Sequence, residues 1–319
     1  MVSVLAETIN WLKGSKYGYT YRDKIALFLY IGNAIFVITF IIGIFGKARA
    51  ADIYFKRTYL LNWIPIKSVL VKRDGITLSL PMTLDYIILV KPDWEEEERK
   101  FLTKLNLDNN DNNSIVIDIG ANIGIYTLIL LHLYPKCKII SIEASPTIFE
   151  KLKFNCQLNN FFPSSNLVLL NRAVSDKNNT AVEFYEKDSI STLFKEFLTN
   201  ISREIITETD VELNKVIVRT ITIDKLVETE NISEISLMKI DVEGTEGLVL
   251  RGAIDTLNKR KVKNMIIEYH SIENYNSAVK LLDQIGYSIV NSQEWYDEDY
   301  RTSNGREFVN GHIIASLRK

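Results

Sequence analysis

Apolar positions follow three different rhythms along this chain. The first is an unbroken run, Ile25 to Phe45, which carries no charge and has only Asn33 and Thr39 as clearly polar side chains. As a helix rising 1.5 Å per residue it would span roughly 30 Å, the hydrocarbon thickness of a bilayer. Its apolar residues lie all around, with no polar face for an interfacial helix. The run therefore predicts a membrane helix over 25–45, flanked by Tyr17, Tyr19 and Tyr21 before it and by Lys47, Arg49, Lys56 and Arg57 after it. The competing explanation is a buried helix of a soluble cytoplasmic protein. The flanking basic residues lean toward a cytoplasmic large domain.

The second rhythm is alternation. Ser68 to Lys72 and Ile76 to Leu80, joined at Asp74-Gly75, predict a hairpin. Trp94 to Leu105 then places Glu95 to Glu98 ahead of Phe101, Leu102 and Leu105, a helix with its acids at the N-terminal end. Asn106 to Ser114 is a polar loop.

The third rhythm starts at Ile115, where short apolar runs alternate with helical stretches. Strands are predicted at 115–119, 138–143, 167–171, 215–222, 235–240 and 264–269, with terminal strands at 287–291 and 312–317. An accessory strand is expected at 178–185. Helices are predicted at 123–134, 146–159, 244–259 and 274–285, the third weakened by Gly247 and Gly252. Strand-helix units in series require a mostly parallel sheet covered on both faces. The chain thus divides into an N-terminal region 1–61, a lead-in hairpin and helix 62–110, and an α/β domain 111–319.

Composition changes this picture little. The 319 residues are 46% hydrophobic and 24% charged, ordinary for a globular protein, and the net charge of −2 gives no case for a nucleic-acid partner. Cys137 and Cys156 have no metal-site or disulfide spacing.

The chemistry is concentrated at strand ends. Asp118-Ile119-Gly120-Ala121-Asn122-Ile123-Gly124 is a strand running into a glycine turn and a helix, and the next strand ends at Glu143. This is how an open α/β sheet holds a nucleoside cofactor, with the acid on the ribose diol. Asp118 precedes the first glycine, where it would repel a pyrophosphate but not the amino group of a methionine moiety. That favours S-adenosylmethionine over NAD. Asp118 is the candidate for the cofactor's amino-acid end; Gly120, Asn122 and Gly124 shape the turn. Glu143 takes the ribose, and Ser145 caps the next helix beside the adenosine pocket.

A second cluster follows the strand near 240. Lys239 and Asp241 share one face, Glu243 lies in the turn, and Glu246 opens a helix. Asp241 is placed to bind an acceptor hydroxyl, orient a base or contribute to a metal site, and His270 is the candidate base at neutral pH. A structural ion-pair cluster is the competing explanation for Lys239 and Glu246. No metal site is predicted, although acids at 241 and 243 are compatible with a divalent ion. Ser191, Thr192, Phe194 and Phe197 lie in an insert, and Trp295, Tyr296 and Tyr300 in a later polar segment. Both stretches are candidates to cover an acceptor.

These residues resemble the FkbM family of S-adenosylmethionine-dependent methyltransferases over roughly residues 90 to 290. The likeness rests on Asp118 to Gly124, Glu143-Ala144-Ser145-Pro146, Thr222-Ile223-Asp224-Lys225-Leu226, Leu237 to Glu246, and Leu250-Arg251-Gly252-Ala253. It implies a seven-stranded Rossmann-like sheet whose last strand is antiparallel. It also implies O-methylation of sugar, glycan, glycolipid or related small-molecule hydroxyls. The apolar segment is not part of the resemblance; a lipid-linked acceptor would give it a purpose. Glu143-Ala144 departs from the more usual Glu-Pro, though the acid is kept. Two rival readings are an NAD-dependent oxidoreductase and a noncatalytic, membrane-tethered interaction protein with the same fold. Oligomeric state is not legible.

Overall fold

The computed structural model describes residues 68–73, 75–81, 95–105, 107, 114–187, 190–193, 214–295 and 310–318. The candidate membrane helix 25–45 lies outside them, as do Phe194, Phe197, Tyr296 and Tyr300. Among the described residues no helix is long and apolar enough to cross a membrane.

The chain divides into two compact units, Met1–Trp94 with Asn200–Val211, and Glu95–Thr199 with Glu212–Lys319. In the first, β1 (Ser68–Arg73) pairs antiparallel with β2 (Ile76–Pro81), Arg73 opposite Ile76, as the alternation predicts. Ile76, Leu78 and Leu80 bury one face while Thr77 and Ser79 lie on the other.

The second unit opens with α1 (Glu96–Lys104). The core then runs β3 (Ile115–Ile119), α2 (Ile125–Leu133), β4 (Lys138–Glu143), α3 (Pro146–Leu158), β5 (Leu167–Asn171). A small side sheet follows: β6 (Ala173–Val174), β7 (Ala181–Lys187), β8 (Ile190–Thr192) and β9 (Asn214–Ile221), in the order β6-β9-β7-β8. The chain returns through α4 (Ile223–Thr229), β10 (Leu237–Ile240), α5 (Glu246–Arg251), α6 (Ile254–Asn258) and β11 (Asn264–Tyr269). It ends with α7 (Ile272–Ile285), β12 (Tyr287–Trp295) and β13 (Asn310–Leu317).

Seven strands form one sheet in the order β12-β13-β11-β10-β3-β4-β5. Pairings from β11 through β10, β3 and β4 to β5 are parallel, and β13 alone runs antiparallel to its neighbours β11 and β12. This is the Rossmann-like class I methyltransferase sheet. The central strands are nearly continuous apolar runs because helices cover both faces. Ile117, Ile119, Ile140, Met238 and Ile267 meet in one core. Chain order reverses between β3 and β10, since β4 and β5 extend one way and β11 the other. Ligands in open α/β sheets bind beyond the strand ends at such a point, and the glycine turn after β3 lies there.

Candidate active site

The turn after β3 is fixed by backbone geometry. Gly120 and Ala121 both donate their N–H to Ile142 O, at 2.9 and 3.0 Å. Gly120 has φ +74, and a Cβ there would stand 1.7 Å from Asp241 O at the end of β10. Only glycine permits both the left-handed conformation and that approach. Asn122, also left-handed at φ 51, accepts the Ile123 N–H on its own side chain at 2.8 Å.

Glu143 ends β4 with its carboxylate held by two backbone donors, Asn122 N–H at 2.9 Å and Ser145 N–H at 2.8 Å. Burial pushes its carboxyl up to about 7, against those donors. Ser145 caps α3 by accepting Ile148 N–H at 3.1 Å, and its hydroxyl donates to Glu186. It is fully buried and organises the helix start. Asp118 is also fully buried and lies beneath the turn. It accepts from Thr127 Oγ1 at 2.6 Å, and Thr127 is bonded to Ser141 Oγ at 2.7 Å. Burial raises the Asp118 carboxyl, opposed by Lys239, its neighbour across the β3–β10 register. Its second oxygen has no hydrogen-bond partner among the described residues.

The other side of the switch point is ionic. Lys239, buried on β10, donates to Asp241 at 2.9 Å and stands 4.5 Å from the Tyr126 ring centroid. Burial pushes the Asp241 carboxyl up to about 8; Glu268 and Glu243 add to this, while Lys239 and His270 oppose it. His270 has Nδ1 2.8 Å from Glu246 Oε1 and Nε2 3.2 Å from Glu243 Oε2. Burial would lower its pKa, but Glu243 and Glu246 hold it well above the usual imidazole range. Glu246 is fixed in turn by Gly244 N–H at 2.9 Å and Asn274 Nδ2 at 2.7 Å. The ring is thus clamped between acids rather than offered to the cleft. Asp241, Glu243 and His270 also bring three donor atoms within 4.8 Å of one another, a geometry able to hold a metal ion.

Glu268 connects this cluster to a second one. Its Oε1 is 3.7 Å from His270 Nε2 and its Oε2 is 3.6 Å from His312 Nε2. Burial would raise the Glu268 carboxyl, yet His312, His270 and Lys239 hold it well below the usual carboxylate range. Glu95, whose carboxylate accepts from the Tyr126 hydroxyl, faces the same His312 nitrogen at 4.0 Å.

An open cleft joins the two halves. Gly120, Asn122 and Glu143 line one part; Asp241, Glu243 and Thr245 line another; Phe184, Leu193 and Arg172 complete it. The structure thus brings Gly120, Asn122, Glu143, Asp241 and Glu243 to one cavity, while Asp118, Gly124, Ser145, Lys239 and His270 stand behind the wall. Gly124 caps α2, where a Cβ would press to 2.6 Å from Leu152 Cδ1. Leu193, just after Ser191 and Thr192 on β8, carries the insert to the cleft. Arg172 and Thr127 went unread in the sequence, although each lies at a strand end or helix start that sequence reasoning had located.

The donor set suits a nucleoside cofactor with an amino-acid arm. A buried carboxylate waits at the strand end, and the turn beside it carries no side chain at Gly120. Residues 118–294 match the family described as the methyltransferase FkbM domain. "Methyltransferase 1" of Beauveria bassiana is 29% identical over 199 residues, covering 59% of this chain and 78% of that protein. "Hexuronic acid methyltransferase AglP" of Haloferax volcanii is 25% identical over 197 residues, covering 62% and 73%. Among solved structures, a SAM-dependent methyltransferase from Agrobacterium tumefaciens is similar with a TM-score of 0.46 and 12% identity, covering 80% of this chain and 71% of that one.

Proposed function

The chain belongs to the FkbM family of S-adenosylmethionine-dependent methyltransferases, and from that premise we propose that it methylates a hydroxyl of a sugar-containing or related small molecule. One observation carries the reading: Glu143 and Asp241, acids from two different strand ends, line a single cleft. The Haloferax relative, named for hexuronic acid, supports a sugar as acceptor.

S-adenosylmethionine, when bound, supplies an electrophilic methyl group on a positively charged sulfur. Glu143 would hold the ribose hydroxyls with the lone pairs left over from Asn122 and Ser145. Gly120 and Asn122 present bare backbone to the rest of the cofactor. Asp118 acts on the pocket from below the turn, through Thr127, as a positioning residue.

Asp241 is the group best placed to take the hydroxyl proton, since it faces the cleft and its carboxyl is pushed up to about 8. A base works best near the operating pH. Lys239 anchors one carboxylate oxygen, leaving the other for the acceptor. His270 is held charged between Glu243 and Glu246, so in this reading it positions those acids and does not abstract the proton. Alignment of acceptor and donor supplies much of the rate.

Calorimetry with S-adenosylmethionine, S-adenosylhomocysteine and NAD tests the cofactor half. Glu143→Ala should weaken the first two by about 10- to 100-fold, the range for lost charge-assisted hydrogen bonds. A preference for NAD, or no binding by a folded sample, sinks it. Labelled methyl transfer to a panel of glycosides and amines, with Asp241→Asn alongside, tests the acceptor half. Label on nitrogen would overturn the hydroxyl assignment.

A further inference from the structure

We propose that Glu95, Glu268 and His312 form a binding site for a divalent transition-metal ion, distinct from the Asp241 cluster. The three residues come from distant parts of the chain. Glu268 and His312 are direct cross-strand partners on β11 and β13, and Glu95 immediately precedes α1. One donor atom from each lies within 4.8 Å of the others. His312 Nε2 is 3.6 Å from Glu268 Oε2 and 4.0 Å from Glu95 Oε1.

These separations are too long for hydrogen bonds, and His312 Nε2 has no hydrogen-bond partner among the described residues. The His312 side chain is only 9% exposed, so a buried imidazole nitrogen faces the carboxylates of Glu268 and Glu95, within ion-pair reach of both. Two donors each about 2.0–2.2 Å from one ion stand at most about 4.4 Å apart, so the two gaps at His312 accept one.

The surroundings match what metal-bound histidines require. Such a ring usually has a carboxylate at its other nitrogen, and His312 Nδ1 is 3.3 Å from Glu98 Oε1. Glu98 is buried at 1% exposure. The Tyr126 hydroxyl holds the second oxygen of Glu95. Three carboxylates thus surround one imidazole in a largely buried place, with Lys239 acting on two of them, Glu95 and Glu268, a donor set of the kind that holds a divalent cation. One imidazole with two carboxylates suits Mn²⁺, Fe²⁺ or Zn²⁺ better than Ca²⁺ or a thiophilic ion. Three protein donors leave coordination positions open to water.

The test is Mn²⁺ binding to the chelator-treated full chain, followed by the free-ion paramagnetic resonance signal, with Zn²⁺ as competitor. One equivalent should bind per chain and be displaced by Zn²⁺. Glu95→Gln and His312→Ala should each weaken binding by about 10- to 100-fold while keeping a cooperative thermal unfolding transition. Should His312→Ala fail to fold, Glu95→Gln decides alone. The proposal is overturned if the folded wild type binds no Mn²⁺ or Zn²⁺, meaning that a protonated His312 satisfies the acids unaided. It is equally overturned if Glu95→Gln leaves binding intact while Asp241→Asn abolishes it, which puts the ion on the other cluster.

Discussion

The two sides of the switch point are built by different physics. On the β3–β4 side, the groups that shape the cleft are positioned by backbone: N–H donors of Asn122 and Ser145 on Glu143, and of Gly120 and Ala121 on Ile142 O. All of these residues lie in one short stretch of chain. On the β10–β11 side, side-chain charges hold one another: Lys239 with Asp241, His270 between Glu243 and Glu246, and Glu268 between two histidines. Those residues are gathered from Lys239 to His312. A backbone-built site tolerates change in its side chains and fails when its turn is altered. An ion-built site should behave in the opposite way, losing most when a single partner leaves.

Glu246→Ala gives the largest expected effect on that contrast. Glu246 is buried and serves His270, Gly244 and Asn274 together. Removing one partner of a buried pair costs about 3–5 kcal/mol, because the other is left uncompensated. Denaturant midpoints would measure it, and a loss below about 1 kcal/mol would mean that the network is not what holds this side. Gly120→Ala comes next. It forces a Cβ toward Asp241 O at a left-handed φ, with an expected cost of about 2–4 kcal/mol. Binding of S-adenosylhomocysteine should fall with it. A variant of wild-type stability and affinity would show that the turn has room the glycine does not need.

The same contrast explains what could be read in the sequence. Strands 115–119, 138–143, 167–171 and 264–269 fall where the apolar runs put them, since buried parallel strands are continuous in sequence. The break in the helix predicted over 244–259 falls at Gly252-Ala253, between α5 and α6, as the glycine warned. Ala173–Val174 is too short to show a period, and β12 continues through the polar residues Asn291 to Glu294 because pairing with β13 carries it. In the site, Glu143 and Asp241 were legible as strand-end acids. The clamp on His270 was not, and neither was the meeting of Glu95 with His312. Local spacing cannot reveal that β13 inserts beside β11 and sets His312 opposite Glu268.

The smallest expected effect isolates Glu143, the buried carboxyl on the backbone-built side that lines the cleft. The Glu143 carboxyl is raised by burial from its ordinary 4.5 to about 7, with the Ser145 and Asn122 N–H groups opposing. A group raised in the folded state binds its proton more tightly there than in the unfolded chain. Its stabilisation is therefore complete below about pH 4.5 and is lost as pH rises through about 7. The loss should be about 1–3 kcal/mol. Asp241 titrates in the same direction, so the wild-type slope alone is not diagnostic. The difference between wild type and Glu143→Gln, from unfolding at pH 5 and pH 8, separates the two, and the variant should lose the Glu143 share. Cofactor binding should move the other way, because ribose hydroxyls donate to the ionised carboxylate and affinity strengthens across the same interval. If Glu143→Gln keeps the full wild-type slope, the Glu143 charge contributes nothing measurable. The pH dependence would then rest on Asp118 beneath the turn and on the ion-built side, and Asp118→Asn would divide those two.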